Sequence, residues 1–445
     1  MAADWWRGLD RGGLPSAPVR ASCILADALL PDGRRVDVTV VDGVVTAVEE
    51  ARPPDEVAAG AGANKSGAAA TELRERHNLG GMLLLGGLAE PHAHLDKALS
   101  ADVVVNATGD LIGAVQAWQA HRGGISSEST MARALRAVEI AAEHGVTAIR
   151  SHVDVGADIG ARGVEALVAV RRLCLRLVDL QLVALVGVPL TGPEGAGNRR
   201  ALAAALAAGA DLVGGAPALD PRPAECVAIC LDAATEAGLP IDLHIDETLD
   251  PSARTLVDLA RGVRDRGFPH PVTASHCVSL GTMPEAEQRQ VAASVAAAGI
   301  GVVTLPQTNL FLQSRGLRTA PPRGLTAIEA LSEAGVRLAG GGDNLQDPFN
   351  LMGRGDPFET ASLLVIAGHM PPAAALAAVS GEARGVMGLA PAGVEPGAVA
   401  DFVAVAAGSA RQAIAAAPGT RRTFKAGRLV AQTTRTSVVG RESSA

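Results

Sequence analysis

The chain has 445 residues, 48% of them hydrophobic and 19% charged, a balance that suits a well-buried globular protein and excludes a disordered one. Its net charge of −8, with no basic block or basic helix, argues against nucleic-acid binding, which draws on a positive surface. No uninterrupted apolar run reaches the roughly 18 residues of a membrane-spanning helix, and the opening MAADWWRGLDRGG lacks the apolar core of a signal peptide.

In chain order, residues 1–18 read as a frayed end. Residues 19–50 read as short strands joined by turns, with Asp-Gly at 32–33 and 42–43, a hairpin signal between β-rich runs. The Ala-, Gly- and charge-rich stretch 53–78 reads as a mobile loop. From 83 onward, short apolar runs alternate with Ala-rich helical stretches. The expected strands are 83–92, 146–153, 180–188, 210–217, 240–245, 271–276, 299–306 and 336–343. Between them lie helix candidates such as MARALRAVEIAAEHG, GVEALVAVRRLCLRL, NRRALAAALAAG and AEQRQVAASVAAAG, several stopping at Gly. Eight strands alternating with helices predict an α/β fold, a (β/α)8 TIM barrel over 81–390. Residues 393–431 return to strand-and-turn texture, so 19–80 and 391–431 are expected to pair into a small β-sandwich domain, with 432–445 a second frayed end. Aromatics make up only 2% and tyrosine is absent, so Ala and Val must fill most of the core. The five cysteines form no CxxC pair, which predicts buried thiols and a reducing, cytoplasmic setting.

Barrel enzymes place their chemistry at the C-terminal ends of the strands, and there the histidines and acids gather. His92 and His94 end the first strand in EPHAHLDK, His152 the second, His244 the fifth and His276 the sixth, while Asp343 ends the eighth. Residues i and i+2 of a strand face one side, so His92 and His94 can grip one cation. Neutral imidazoles and a carboxylate suit one divalent metal ion, Zn²⁺ or Fe²⁺, and three histidines with one aspartate would leave a position open for water. Such an ion would bring the pKa of a bound water toward about 7. Glu247, three residues past His244, is placed to move a proton from that water to a leaving amine. Each residue alone has a plainer reading. His152 could be a packed strand-end residue, Glu247 a helix N-terminal acid, and Asp343 a turn former after three glycines.

The ordered set EPHAHLDK, RSHVDV, DLQLVAL, DLHIDET, TASH, NLFLQSRG and GGDNLQDPF, with GAVADFVAV and KAGRLV in the C-terminal flank, resembles the amidohydrolase superfamily. Within it, the likeness is to cytosine deaminases and N-isopropylammelide amidohydrolases. The resemblance implies that His92, His94, His244 and Asp343 hold the metal and that Glu247 shuttles the proton. It further implies that His276 polarises the substrate or orients the water, and that Asp343 helps to deprotonate that water. The bridging lysine of di-metal members has no counterpart in ADLVGGAP, which implies a single ion. Lys97, Gly187, Gln313, Asn344 and Phe349 fall at substrate-contact positions. Gly187 and Asn344 depart from cytosine deaminase, which has a Gln and an acid there. Lys97 could instead pair with Asp96 at the surface, and Gln313 could anchor a loop. The expected activity is hydrolytic deamination of a small nitrogen heterocycle, cytosine-like or aminotriazine-like. The alternatives are cyclic-amide or N-alkylamine hydrolysis and, in a different class, an inactive binding module. The expected partner is the small-molecule substrate, with no nucleic acid or membrane, and a homo-oligomer is possible.

Overall fold

The computed structural model describes residues 20–51 and 75–440. The expected frayed N-terminal end lies outside the described residues, as do 441–445 and most of the loop expected over 53–78. Strands β1 (Cys23–Leu29), β2 (Arg35–Val41) and β3 (Val44–Glu50) form an antiparallel meander. Its β2–β3 turn is Asp42–Gly43 with φ of 48° and 75°, the double positive φ of a type I′ hairpin. The loop expectation fails at its end. Glu75–Asn78, which carries His77, is strand β4, paired parallel to β1.

The segment LLLGGLAEPH is not one strand but two. Leu83–Gly86 is β5, in the flanking sheet beside β1, and Leu88–Ala93 is β6, the first barrel strand. The break has a steric cause. A Cβ on Gly86 would stand 2.5 Å from the Ala392 carbonyl oxygen, and one on Gly87 would stand 2.4 Å from Thr147 Oγ1. Both strands are buried, so the run is apolar on either side of the crossing and its periodicity gives no warning.

Strands β7 (Val146–Val155), β8 (Asp179–Val186), β9 (Leu212–Gly215), β10 (Ile241–Ile245), β11 (Val272–His276), β12 (Gly301–Thr304) and β13 (Leu338–Gly340) follow β6 in parallel, neighbours in space as in sequence. The barrel closes through an isolated bridge between Ala93 and Asp343, with the Asp343 N–H donating to the His92 carbonyl at 3.0 Å. Glu90 spans the same seam, accepting from the His92 N–H at 3.1 Å and the Gly342 N–H at 2.8 Å. The four helix candidates form as Ser127–Glu143, Arg162–Leu173, Ala196–Ala207 and Glu285–Ala297, each laying Ala, Val or Leu on the sheet. A further helix, Leu111–Arg122, lies between β6 and the first of these. It is capped by Asp110, whose Oδ1 accepts from the Gly113 N–H at 2.8 Å.

Beyond the barrel, β14 (Phe402–Val405) pairs with β5, and β15 (Arg421–Lys425) and β16 (Arg428–Thr433) extend the flanking sheet, so both flanks share one eight-stranded sheet. Asp401 joins that sheet to the barrel. Its carboxylate is fully buried and accepts from Arg384 Nη1 at 3.1 Å, Lys425 Nζ at 2.8 Å and the Ala426 N–H at 2.8 Å. Asp401→Ala leaves two buried cations short of a partner, and an unfolding midpoint in urea should report a loss of about 3–5 kcal/mol.

Candidate metal centre and active site

Strand alternation aims most of the site. Asp242 and His244 on β10, Arg150 and His152 on β7, and Thr273 and Ser275 on β11 all face the barrel interior, as their mutual contacts show. By that parity His276 should point outward. It does not, because its φ is +70°, and Asp343 after β13 has φ +63°. Residues with a Cβ rarely adopt this left-handed backbone, and it stores strain. At both positions the twist turns the side chain into the barrel mouth, where both line the central cavity.

At the mouth, His244 Nε2 lies 3.2 Å from His92 Nε2 and 3.2 Å from His94 Nε2. Asp343 Oδ1 lies 3.2 Å from His94 Nε2 and 3.7 Å from His92 Nε2. Three imidazole nitrogens from β6 and β10 thus gather at the mouth, with an Asp343 oxygen from the loop after β13 beside two of them. The two 3.2 Å gaps from His244 to the other imidazoles are close to the separation, about 3.3–3.4 Å, of nitrogens held tetrahedrally at about 2.0–2.1 Å from a zinc ion. Both Asp343 carboxylate oxygens and His276 Nε2 are also buried with no hydrogen-bond partner among the described residues. The donor set therefore fits a divalent cation. Burial, and then the neighbouring imidazoles, hold His92 and His244 well below the ordinary histidine range, so both stay neutral and able to ligate. The consequence is that metal should stay bound as pH falls through about 6.5, where a free histidine protonates. Metal content after dialysis at steps from pH 7.5 to pH 5.5 checks this, and loss centred at the free-histidine value would contradict it.

Glu247 is largely buried, with Oε1 3.6 Å from His276 Nδ1. Burial, and then the charge of Asp343, raise its carboxyl well above the usual range; a cation among the four donors acts in the opposite direction. His276 Nδ1 also lies 3.2 Å from Asn309 Oδ1, which orients the ring. Gln313, from the expected substrate set, is absent from the cavity lining. Its Nε2 donates instead to the Glu247 carbonyl at 3.3 Å, so it anchors the loop that carries the acid.

Lys97, Gly187, Asn344 and Phe349 all line the cavity with His94, His244, Glu247, His276 and Asp343. Asp347 braces two of them, accepting from Asn344 Nδ2 at 2.8 Å and the Phe349 N–H at 2.8 Å. Lys97 is no surface residue: it is 3% exposed. Its Nζ lies 2.6 Å from Asp154 Oδ1, against 3.5 Å from Asp96 Oδ2. Asp154 Oδ2 in turn accepts from Trp118 Nε1 at 2.8 Å and Arg122 Nη1 at 3.2 Å. Burial alone would raise the Asp154 carboxyl, but the charges of Lys97 and Arg122 outweigh it and bring the pKa to about 2. Trp118, Arg122 and Asp154 line the cavity, and sequence reasoning missed all three. Two signals were available: Asp154 stands two residues beyond His152, on the same strand face, and Trp118 is one of only three tryptophans. His152 lies behind the donors, stacked on His92 with ring centroids 3.8 Å apart.

A parallel barrel whose strand ends gather imidazoles, a carboxylate and a buried acid around one cavity has the architecture of a metal-dependent hydrolase. Residues 126–431 match the model of the amidohydrolase family. The chain is 32% identical to a pterin deaminase of Rhizobium rhizogenes (strain K84 / ATCC BAA-868), over 73% of this chain and 71% of that protein. The crystal structure of 5-methylcytosine deaminase from Klebsiella pneumoniae, liganded with 5-fluorocytosine, superposes with a TM-score of 0.82 at 26% identity, covering 94% of this chain and 99% of that one. N-isopropylammelide isopropylaminohydrolase from Burkholderia multivorans ATCC 17616 gives a TM-score of 0.78 at 27% identity, over 93% and 99% of the two chains. The chain belongs to the amidohydrolase family and is a hydrolase of carbon–nitrogen bonds other than peptide bonds. Among the described residues, no helix is long and apolar enough to cross a membrane.

Proposed function

We propose that the protein is a hydrolytic deaminase of an amino-substituted nitrogen heterocycle, using one divalent ion, zinc or iron, held by His92, His94, His244 and Asp343. The observation that carries the reading is Glu247: a largely buried carboxyl beside His276 in the cavity that His94, His244 and Asp343 also line. The ion, when bound, makes a water acidic enough to react near neutral pH. Glu247 accepts a proton from the attacking water and delivers it to the leaving amine as the exocyclic carbon–nitrogen bond breaks, so that the oxygen stays on the ring carbon and ammonia departs. His276 steadies the polar edge of the reacting carbon, and Asp343 takes up part of the proton load. Phe349 covers a ring face, while Lys97 and Asn344 offer hydrogen bonds to the ring edge.

Ammonia release by metal-loaded protein, screened over pterin, cytosine, 5-methylcytosine, isocytosine and ammelide-type triazines, tests the reading. Turnover of at least one is expected; none with any of them would overturn it. A second reading, removal of an N-alkyl amine, is favoured by Asn344 following Asp343 and by Lys97 in EPHAHLDK, both features of ammelide-type relatives. Mass spectrometry separates the two, since one releases ammonia and the other an alkylamine. Addition of water with no nitrogen lost would instead mark ring opening.

A further inference from the structure

We propose that Ser275, Asp242 and Arg150 form a buried relay that fixes the tautomer and aim of His92, and so set how tightly the site holds its ion. This rests on the reading that His92 is a metal ligand. His92 Nδ1 lies 2.9 Å from Ser275 Oγ, and Ser275 Oγ donates its one proton to Asp242 Oδ1 at 2.9 Å. Having spent that proton, the hydroxyl can only accept from the imidazole. His92 must then carry its hydrogen on Nδ1 and leave the Nε2 lone pair free, and Nε2 is the atom that meets His244 and Asp343. The far oxygen, Asp242 Oδ2, accepts from Arg150 Nη1 at 2.8 Å. That guanidinium is in turn fixed by Gln181 Oε1 at 2.9 Å, Thr273 Oγ1 at 3.1 Å and the Val386 carbonyl at 3.2 Å. Ser275 and Asp242 are fully buried and Arg150 is 2% exposed, so no water competes for these bonds.

The chain of contacts runs from β7 through β10 and β11 to β6, tying one ligand to three other strands. His152 completes the cradle from the side, stacked on His92 at 3.8 Å with an interplanar angle of 27°. The grouping of His92, His152 and Asp242 could itself suggest a second cation site. The Arg150 guanidinium already neutralises Asp242 there, and a metal would face it across the carboxylate. The grouping is better understood as support for the first site. Ligands held this way are aimed before the ion arrives, and loss of such outer partners typically costs 10–100-fold in metal affinity.

The alternative is that these residues merely pack the barrel interior, and metal affinity separates the two roles. Zinc affinity of the intact protein is measured by competition with a chromogenic chelator, and the cobalt-substituted protein is followed by its visible absorption. Ser275→Ala should stay folded, bind zinc about 10–100-fold more weakly and show an altered cobalt spectrum; Ser275→Thr, which keeps the hydroxyl, should restore both. Thr273→Val also removes a hydrogen bond from the Arg150 network but leaves His92 untouched, and should keep wild-type affinity and spectrum. Should Ser275→Ala not fold, Asp242→Asn supplies the same comparison, with weaker binding again expected. Wild-type affinity in folded Ser275→Ala, or equal losses in Ser275→Ala and Thr273→Val, would overturn the relay alone. A wild-type protein that holds no zinc or cobalt would overturn the metal reading, and the relay with it.

Discussion

Glu247→Gln is expected to keep its metal and lose about 10²–10⁴-fold in turnover, the range that a positioned proton carrier contributes. The amide is nearly isosteric with the carboxyl, so the neighbouring His276 ring and the loop pinned by Gln313 should hold their places. Only the capacity to take and return a proton is removed. The loss should fall on kcat more than on KM, because the group acts on the transition state more than on the bound substrate. Metal analysis beside steady-state kinetics checks it. Activity like the wild type's would show that another group carries the proton, and loss of metal would show that Glu247 belongs among the ligands.

Asp343→Ala is expected to go further and lose the ion itself. Asp343 supplies the only carboxylate among the four proposed ligands, and its two oxygens are buried without hydrogen-bond partners among the described residues. Burial would raise its pKa; contact with His94 and the nearby His276 ring bring it below the usual carboxylate range instead. Removing it should weaken metal binding by more than the 10–100-fold that outer partners cost. Activity should fall with metal occupancy, and added zinc should restore little of it. Near-stoichiometric metal in the purified variant would remove Asp343 from the ligand set.

Much of this molecule could be read from its residues, and the failures have physical causes. Strand ends announced themselves because histidine is rare and His92, His94, His152, His244 and His276 each close an apolar run. Where sequence reasoning went astray, a local feature overrode periodicity. Gly86–Gly87 switches sheets inside one apolar run, since two buried strands in series look like one long strand. His276 sits on the wrong parity for the mouth and reaches it through a left-handed backbone that alternation cannot foretell. Lys97 looks like a surface residue beside Asp96, yet its true partner is Asp154, 57 positions away, and only the fold brings them together. The wall of Trp118, Arg122 and Asp154 is assembled from an inserted helix and a strand. Neither element carries a motif alone. Asp242 and Ser275 were in plain view in DLHIDET and TASH, but their use depends on a neighbouring strand lying at hydrogen-bonding distance.

The barrel's seam has a consequence of its own. The main-chain bridge that shuts the cylinder joins His92 to Asp343, the same two residues whose side chains reach toward one point at its rim. An ion lodged there acts as a clasp between the first staves and the last, fastening a joint that the backbone alone holds thinly. Chains that have not acquired their metal should breathe along that one line, exchanging the Asp343 amide hydrogen early and meeting proteases there first. Metal supply would in this way govern how long the protein survives as well as how fast it works.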